Sequence, residues 1–392
     1  MVSQKFIQVY IQKIVTYLLV IFIIFSLSAS FNVSAQEVNF PARIEEIFSD
    51  NELAESVAKT LEKDVTDTVT ETELEQILSI ESYKDIENLN GIEYLKNLEK
   101  LLLTAAGTPS PKSPSDISKL LQLPKLKELS LGCASFQGRE EELLSTIEQL
   151  TTLESLSLWN HSLSNINSLT NLTNLKNLSI TDILMTTDSE GNLVPLNQLS
   201  LETLSTLSNL ESLSLNNNEI EDISDLKMLT NLKTVYLNNN KISDFGALSG
   251  KDCTIYALNQ YITLSEKQIS DGSLKIDIPL ISLDGKEIDI TDISNNGIYN
   301  NEQNIIEWSN LDNIELLTFS FNIKDTDNEN TTISGYVSIP CRIINNNANN
   351  KNDNDTTLNE PNNNLYIYII IISAVIIILI IIIVILIRKR KN

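Results

Sequence analysis

Histidine occurs once, at His161, and cysteine three times, at Cys133, Cys253 and Cys341, in a chain of 392 residues. A single histidine removes most metal-ligand sets and nearly every triad arrangement. Three cysteines are too few for a disulfide framework. Buried free thiols are the expectation, with a Cys253–Cys341 bond as the alternative. There is no GxSxG, no HExxH and no glycine-rich phosphate loop ending in Lys-Ser or Lys-Thr. No catalytic, cofactor or metal site is therefore expected, and the chain does not read as an enzyme. The acid-alternating run DTDNEN (325–330) comes nearest to a calcium loop. Asn330 stands where the turn glycine belongs and Tyr336 where the closing Glu would be, so a solvated hairpin is the reading. Basic residues are also scarce, 28 against 52 acidic ones, for a net charge of −24. That balance argues against nucleic acid and anionic lipid as partners and reads first as a solubility feature.

Two long apolar runs stand at the ends. Lys5 and Lys13 lead into an uncharged run from 14 to 27, followed by Val33 and Ala35 at the small-residue positions of a cleavage site before Gln36. This predicts a cleaved secretory signal peptide over 1–35, an uncleaved anchor being the alternative. Residues 365–387 carry no charge and would form a helix about 34 Å long, enough to span a bilayer core. Arg388, Lys389, Arg390 and Lys391 follow, so a single-pass membrane helix with a basic cytoplasmic tail (388–392) and an outside N-terminal part is expected. The Asn/Asp-rich stretch 345–364 reads as a spacer.

Between the ends, the phrase L-x-x-L-x-L-x-x recurs at Leu98, Leu126, Leu153, Leu175, Leu210 and Leu232. The shortest spacing is 22 residues, and the wider ones carry insertions over 104–122, 132–149 and 181–206. A fixed period predicts an α/β leucine-rich-repeat solenoid over 80–253. The fourth and sixth residues of each phrase point inward, and the third, fifth and seventh point outward. A ninth-position Asn, which satisfies turn backbone groups, stands at Asn218 and Asn240; earlier repeats hold Ala106, Ala134, His161 and Ile183 instead. His161 reads as a substitute for that Asn rather than a ligand or base.

Residues 36–79 read as an α-helical cap, with Asp50 as an N-cap and Thr70 with Glu73 as a capping box; Ile80 is placed to start an edge strand. After Leu248 short β-branched runs between Asp, Asn and Gly turns predict an all-β sandwich over 254–344, with Trp308 in its core.

These segments resemble bacterial internalins. The resemblance is carried by the helical stretch from Phe40, DVTDTV (64–69), GIEYLKNLEKL (91–101) and the LTNL repeats. NQYITL (259–264), ISLDGKEI (281–288) and IIEWSNL (305–311) resemble the immunoglobulin-like domain fused to internalin repeats. It implies a surface protein of a Gram-positive-type bacterium whose concave repeat face binds an extracellular protein, in some cases a host receptor. The chain departs from the family in having TLNEPNNN (357–364), not LPxTG, before the last apolar run, and in a short, irregular array.

The ligand-binding set expected on the concave face is Lys100, Glu128, Ser157, Trp159, Asn177, Ser179, Ser214 and Tyr236. Trp159 and Tyr236 stand out because aromatic side chains dominate binding hot spots; lying flat over a neighbouring strand is the competing role. The insertions all begin just after a strand phrase and are expected to build a rim on one edge. The competing function is a structural envelope protein that spaces membrane and wall without a dedicated host ligand.

Overall fold

The computed structural model describes residues 38–344, apart from 105–111, 133–135, 137, 184, 188–192, 196–198, 285 and 326–327. The signal segment, the Asn-rich spacer, the apolar run 365–387, the basic tail and Cys133 lie outside the described residues. Among the described residues no helix is long and apolar enough to cross a membrane.

The leucine phrases lie side by side as parallel strands. Strands Lys100–Leu103, Glu128–Gly132, Ser155–His161, Asn177–Ile183, Ser212–Ser214 and Thr234–Tyr236 pair in that order. Leu101, Leu129, Leu156, Leu178, Leu213 and Val235 fall in one register row and are all buried. No single repeat could bury those side chains; stacking gives them a common core. Short 3-10 turns, such as Asn167–Asn171 and Ser224–Met228, return the chain on the opposite side.

The cap closes the first end. Helix Asn51–Thr60 buries Leu53, Ala54, Val57 and Ala58 along one stripe. Asp50 caps it through one carboxylate oxygen, which accepts from the Glu52 and Leu53 amides at 3.0 and 3.1 Å. Its other oxygen accepts from Glu87 and Asn88 N–H at 2.7 and 3.2 Å, tying the helix to the first repeat. Thr70 and Glu73 form the capping box of Glu71–Leu74. The Lys63 ammonium and the Thr70 donors hold the Glu73 carboxyl well below its usual range, at about 2. Strand Ser79–Ser82 pairs with Lys100–Leu103 and starts the sheet.

Four side-chain ladders link one repeat to the next, only one of which the spacing of leucines signals. At the ninth position Asn240 donates to the carbonyls of Leu215 and Leu237, both at 2.9 Å, and accepts from Asn218 and Ile220 N–H, both at 3.1 Å. At the eighth position Asn259, Asn239 and Asn217 each donate an amide to the preceding member, ending on the Asp182 carboxylate. All four have positive φ, between 57° and 61°, a conformation that Asn and Asp tolerate best among residues with a Cβ. The Asn before four of the six phrases is a strut: Asn97 donates to Glu75 O of the cap, and Asn174, Asn209 and Asn231 donate to carbonyls of the preceding repeat, all at 2.7–2.9 Å. The second phrase position alternates in sign, with ion pairs Glu99–Lys127 (3.1 Å), Glu154–Lys176 (2.7 Å) and Glu211–Lys233 (2.5 Å). These pairs are exposed, so they fix the order of neighbours more than they stabilise.

The β region does not begin as a separate sheet, which departs from the boundary the sequence suggests at 253/254. Strand Thr254–Thr263 continues the repeat sheet, with Thr254, Ile255 and Tyr256 in register with Thr234, Val235 and Tyr236. Ile255 and Ala257 take the inward places, and Gln260 takes the ladder place, donating to Leu237 O at 2.8 Å and accepting from Ile242 N–H at 3.1 Å. No leucine stands at the inward positions of this rung, so the phrase hides it. On its other edge the same strand pairs parallel with Thr332–Ile343 from Tyr256 onward, with a bulge between Ala257 and Gln260. Leu316–Ile323 and Ile288–Thr291 follow antiparallel, and Lys267–Ile269 pairs parallel with the end of Thr332–Ile343, which completes a twelve-stranded sheet among the described residues. A second sheet, Leu274–Asp277, Ile305–Trp308 and Ile298–Asn300, is antiparallel throughout. Trp308 is buried, its indole N–H donating to Ser294 O at 2.9 Å. Cys253 and Cys341 are buried free thiols.

Candidate functional site

Parallel register places the outward residues of successive strands in rows about 4.8 Å apart. Ser130, Ser157, Ser179, Ser214, Tyr236 and Tyr256 form one such row. Asn177 lies in the row beside it, in register with Ser155 and Ser212. Lys100 and Glu128 are register partners at the N-terminal end, and the Lys100 ammonium is bound to Glu81 at 2.8 Å. The expected set therefore shares one face but not one point, since Lys100 and the Tyr236 strand are five strands apart.

Charge divides this face. The first strands carry Glu81, Lys100 and Glu128. From Ser155 to Leu258 the third, fifth and seventh phrase positions hold Ser, Thr, Asn, Trp, Tyr and Leu and no charged residue. In a chain with net charge −24 that is a neutral field, rich in the residue types that make adaptable binding surfaces.

The two aromatic candidates differ in setting. Trp159 is half-buried, and its indole lies over Gly132 of the adjacent strand: a Cβ added at Gly132 would fall 3.1 Å from Cζ2 and 3.2 Å from Cη2 of Trp159. Gly132 thus leaves the space into which the ring leans, and local packing is part of its role. Tyr236 stacks on Tyr256, with ring centroids 4.9 Å apart and planes 9° from parallel. Tyr256 escapes a reading based on the leucine phrase because its strand lacks the leucines; the alternation of TIYA was the available signal. Farther along the same strand Tyr261 lies beneath the Lys241 ammonium, 5.4 Å from the ring centroid, and is in register with the exposed Tyr336.

Two of the insertions are joined at the edge. Arg139 donates to Ser113 Oγ at 3.0 Å, Pro114 O at 3.1 Å and Ser115 O at 3.1 Å, and to both carboxylate oxygens of Glu142. Glu140 accepts from the Ser162 hydroxyl just past the Trp159 strand. In the third insertion Met185–Thr187 pairs antiparallel with Leu193–Pro195. Two grooves of about 450 and 440 Å³ lie at the strand starts, lined by the alternating Lys and Glu side chains and by strut asparagines. Apart from Lys125, which donates to Asn97 Oδ1 at 2.7 Å, their charges are paired with one another, which leaves little for a small ligand to bind.

His161 is fully buried and belongs to the turn ladder. Its Nδ1 accepts from Leu163 N–H at 3.2 Å, which puts the proton on Nε2, facing Asn218 Oδ1 at 3.0 Å. Burial pushes its pKa below the ordinary imidazole value, against the smaller opposing effect of Asn218. The neutral form is favoured in the folded state, so its contribution to stability is complete above about pH 6.5. It falls by up to about 1.4 kcal/mol per pH unit as pH drops below that value. Because it is the only histidine, urea midpoints for the parent and His161→Gln between pH 7.5 and 5 isolate the effect. The parent is expected to lose more stability over that interval; parallel pH profiles would show that the imidazole does not titrate on unfolding. Asp325, at the head of the acidic run, faces Lys286 at 2.7 Å, while 326–327 lie outside the described residues.

Comparison with known proteins agrees with this arrangement at both ends of the repeat array. The family model described as the N-terminal part of bacterial adhesion/invasion proteins matches residues 32–75. A model for two copies of the leucine-rich repeat matches residues 208–250. Among solved structures, internalin C2 from Listeria monocytogenes is 29% identical, covering 57% of this chain and 100% of its own, with a TM-score of 0.42. An internalin, inlF, from the same organism is 29% identical, covering 58% of this chain and 74% of its own, with a TM-score of 0.40.

Proposed function

The chain is an internalin-like leucine-rich-repeat protein, and from that premise we propose that it is a cell-surface module that binds an extracellular protein through the outward face of its repeat sheet. The observation that carries the reading is the neutral field from Ser155 to Leu258, with Trp159, Tyr236 and Tyr256 on it, in a strongly acidic chain. A solenoid needs its inward leucines for its fold, whereas aromatic rings on the outward side are not required by the repeat. The insertions clasped by Arg139 form a rim beside Trp159. In this reading residues 254–344 are an immunoglobulin-like sandwich that extends and stiffens the repeat sheet. The chain is exported through its N-terminal signal and held by the apolar run 365–387, so the face points outside.

Immobilised protein exposed separately to host-cell surface extracts and to the wall fraction of the producing cell tests this. Retention of a discrete surface protein supports a binding module; retention of self wall material alone supports a structural envelope role. With a retained protein in hand, Trp159→Ala is expected to weaken binding at least tenfold, as a hot-spot truncation does. Binding within measurement error of the parent would remove Trp159 from the contact surface.

A further inference from the structure

The Tyr236–Tyr256 stack follows the spacing of the sheet. Its centroids are 4.9 Å apart, close to the roughly 4.8 Å between neighbouring strands. One face of Tyr236 meets Tyr256, so the other is directed towards the next strand, where Ser214 is its register partner. A ring at position 214 would continue the stack; a hydroxymethyl group leaves that place unfilled. Ser179 and Ser157 stand beyond it in the same row. At the far end Tyr256 is in register with the β-branched Thr332.

We propose that the ring-sized slot over Ser214, walled by the free face of Tyr236, takes a planar aromatic side chain of the protein partner. This rests on the reading of the outward face as the binding surface. The serines only leave room; the Tyr236 face supplies the attraction, since parallel offset rings at this separation attract beyond simple area burial. A sugar ring could also stack there, but it needs polar groups aimed at its hydroxyls. The amide oxygens flanking the slot are already engaged: Asn216 accepts from Asn238 N–H at 2.8 Å and Asn238 accepts from Leu258 N–H at 2.8 Å, while Asn216 also donates to Ser214 Oγ at 3.3 Å. The uncharged surroundings favour a neutral ring over a cationic one.

Saturation-transfer NMR on the full chain, with N-acetyl-tryptophanamide, N-acetyl-leucinamide and methyl β-glucopyranoside as separate probes, tests the slot. The tryptophan probe is expected to bind in the millimolar range and the other two at least tenfold more weakly. Ser214→Tyr, which fills the slot from within, and Tyr236→Ala, which removes its wall, should each weaken the tryptophan probe at least tenfold. Ser130→Tyr, in the same row but away from the stack, should leave it unchanged. Equal binding of leucinamide, preference for the glucoside, or undiminished tryptophan binding in both slot variants overturns the proposal. If the chain retains a surface protein that Ser214→Tyr still binds as the parent does, the slot is wrong while the binding-face reading stands.

Discussion

Asn240→Ala is expected to lower the unfolding free energy by about 3–5 kcal/mol, the largest effect of any single ladder substitution. Asn240 is fully buried and joins its own turn to the preceding one: it donates to Leu215 O and Leu237 O and accepts from Asn218 and Ile220 N–H. Truncation leaves two donors, the Asn218 and Ile220 N–H, and one acceptor, Leu215 O, without partners where water does not reach, while Leu237 O keeps the bond from Gln260. Each such group costs about 1–3 kcal/mol, with partial relief as the turns relax. A repeat array is held by nearest-neighbour interfaces, so the weakened junction should also broaden the transition as the two sides lose cooperativity. Asn231→Ala is the control: its amide donates to Ser208 O at 2.7 Å but is exposed, and its loss should cost about 1 kcal/mol or less. Urea unfolding followed by circular dichroism separates the two. Equal midpoints would mean that the turn groups find other partners and that the ladder does not organise the array.

The repeats were legible in the sequence because burial acts on each of them in the same way. Inward leucines must recur, and a fixed period exposes them; the ninth-position Asn follows because a buried turn needs a donor and an acceptor on one short side chain. Residues that bind only between neighbours were harder to see. The alternation of Glu99, Lys127, Glu154, Lys176, Glu211 and Lys233 spans the whole array, yet within any one repeat each is merely a polar residue. The positive-φ row Asp182, Asn217, Asn239 and Asn259 was hidden for the same reason, although the NNN triplets at 216–218 and 238–240 held the signal. Thr254–Thr263 falls outside the leucine phrase because Ile255 and Ala257 do a leucine's work without being leucine. The same replacement conceals Tyr256 and with it the stack. Trp159 was legible as an outward aromatic, but its lean over Gly132 depends on a residue one strand away, which the phrase pattern does not pair with it.

Gly335→Ala is expected to cost more than about 3 kcal/mol and to separate the melting of the β region from that of the repeats. Gly335 sits in the strand Thr332–Ile343, between Gln260 on one side and Phe321 on the other. A Cβ there would lie 2.3 Å from the Gln260 carbonyl oxygen, 2.8 Å from Gln260 Cβ and 2.8 Å from Phe321 Cε1. The first contact is with backbone, so no rotamer change relieves it and the strands must part; overpacking of this kind destabilises strongly. They would part at the one strand that belongs to both halves. Displacing Gln260 also disturbs its bonds to Leu237 O and Ile242 N–H, and so carries the damage into the last turn of the repeats. Gly250→Ala provides the comparison, because Gly250 has φ of +70° but nothing within 4 Å of an added Cβ. Only the left-handed backbone is then penalised, by about 1 kcal/mol. Calorimetry should show a lower, split transition for Gly335→Ala and a single, slightly shifted one for Gly250→Ala. Hydrogen exchange should accelerate over Thr332–Ile343 first and spare Ser155–His161. If both variants melt alike, the junction yields under load, and Tyr256 is not held against Tyr236 by the rigidity of the shared strand.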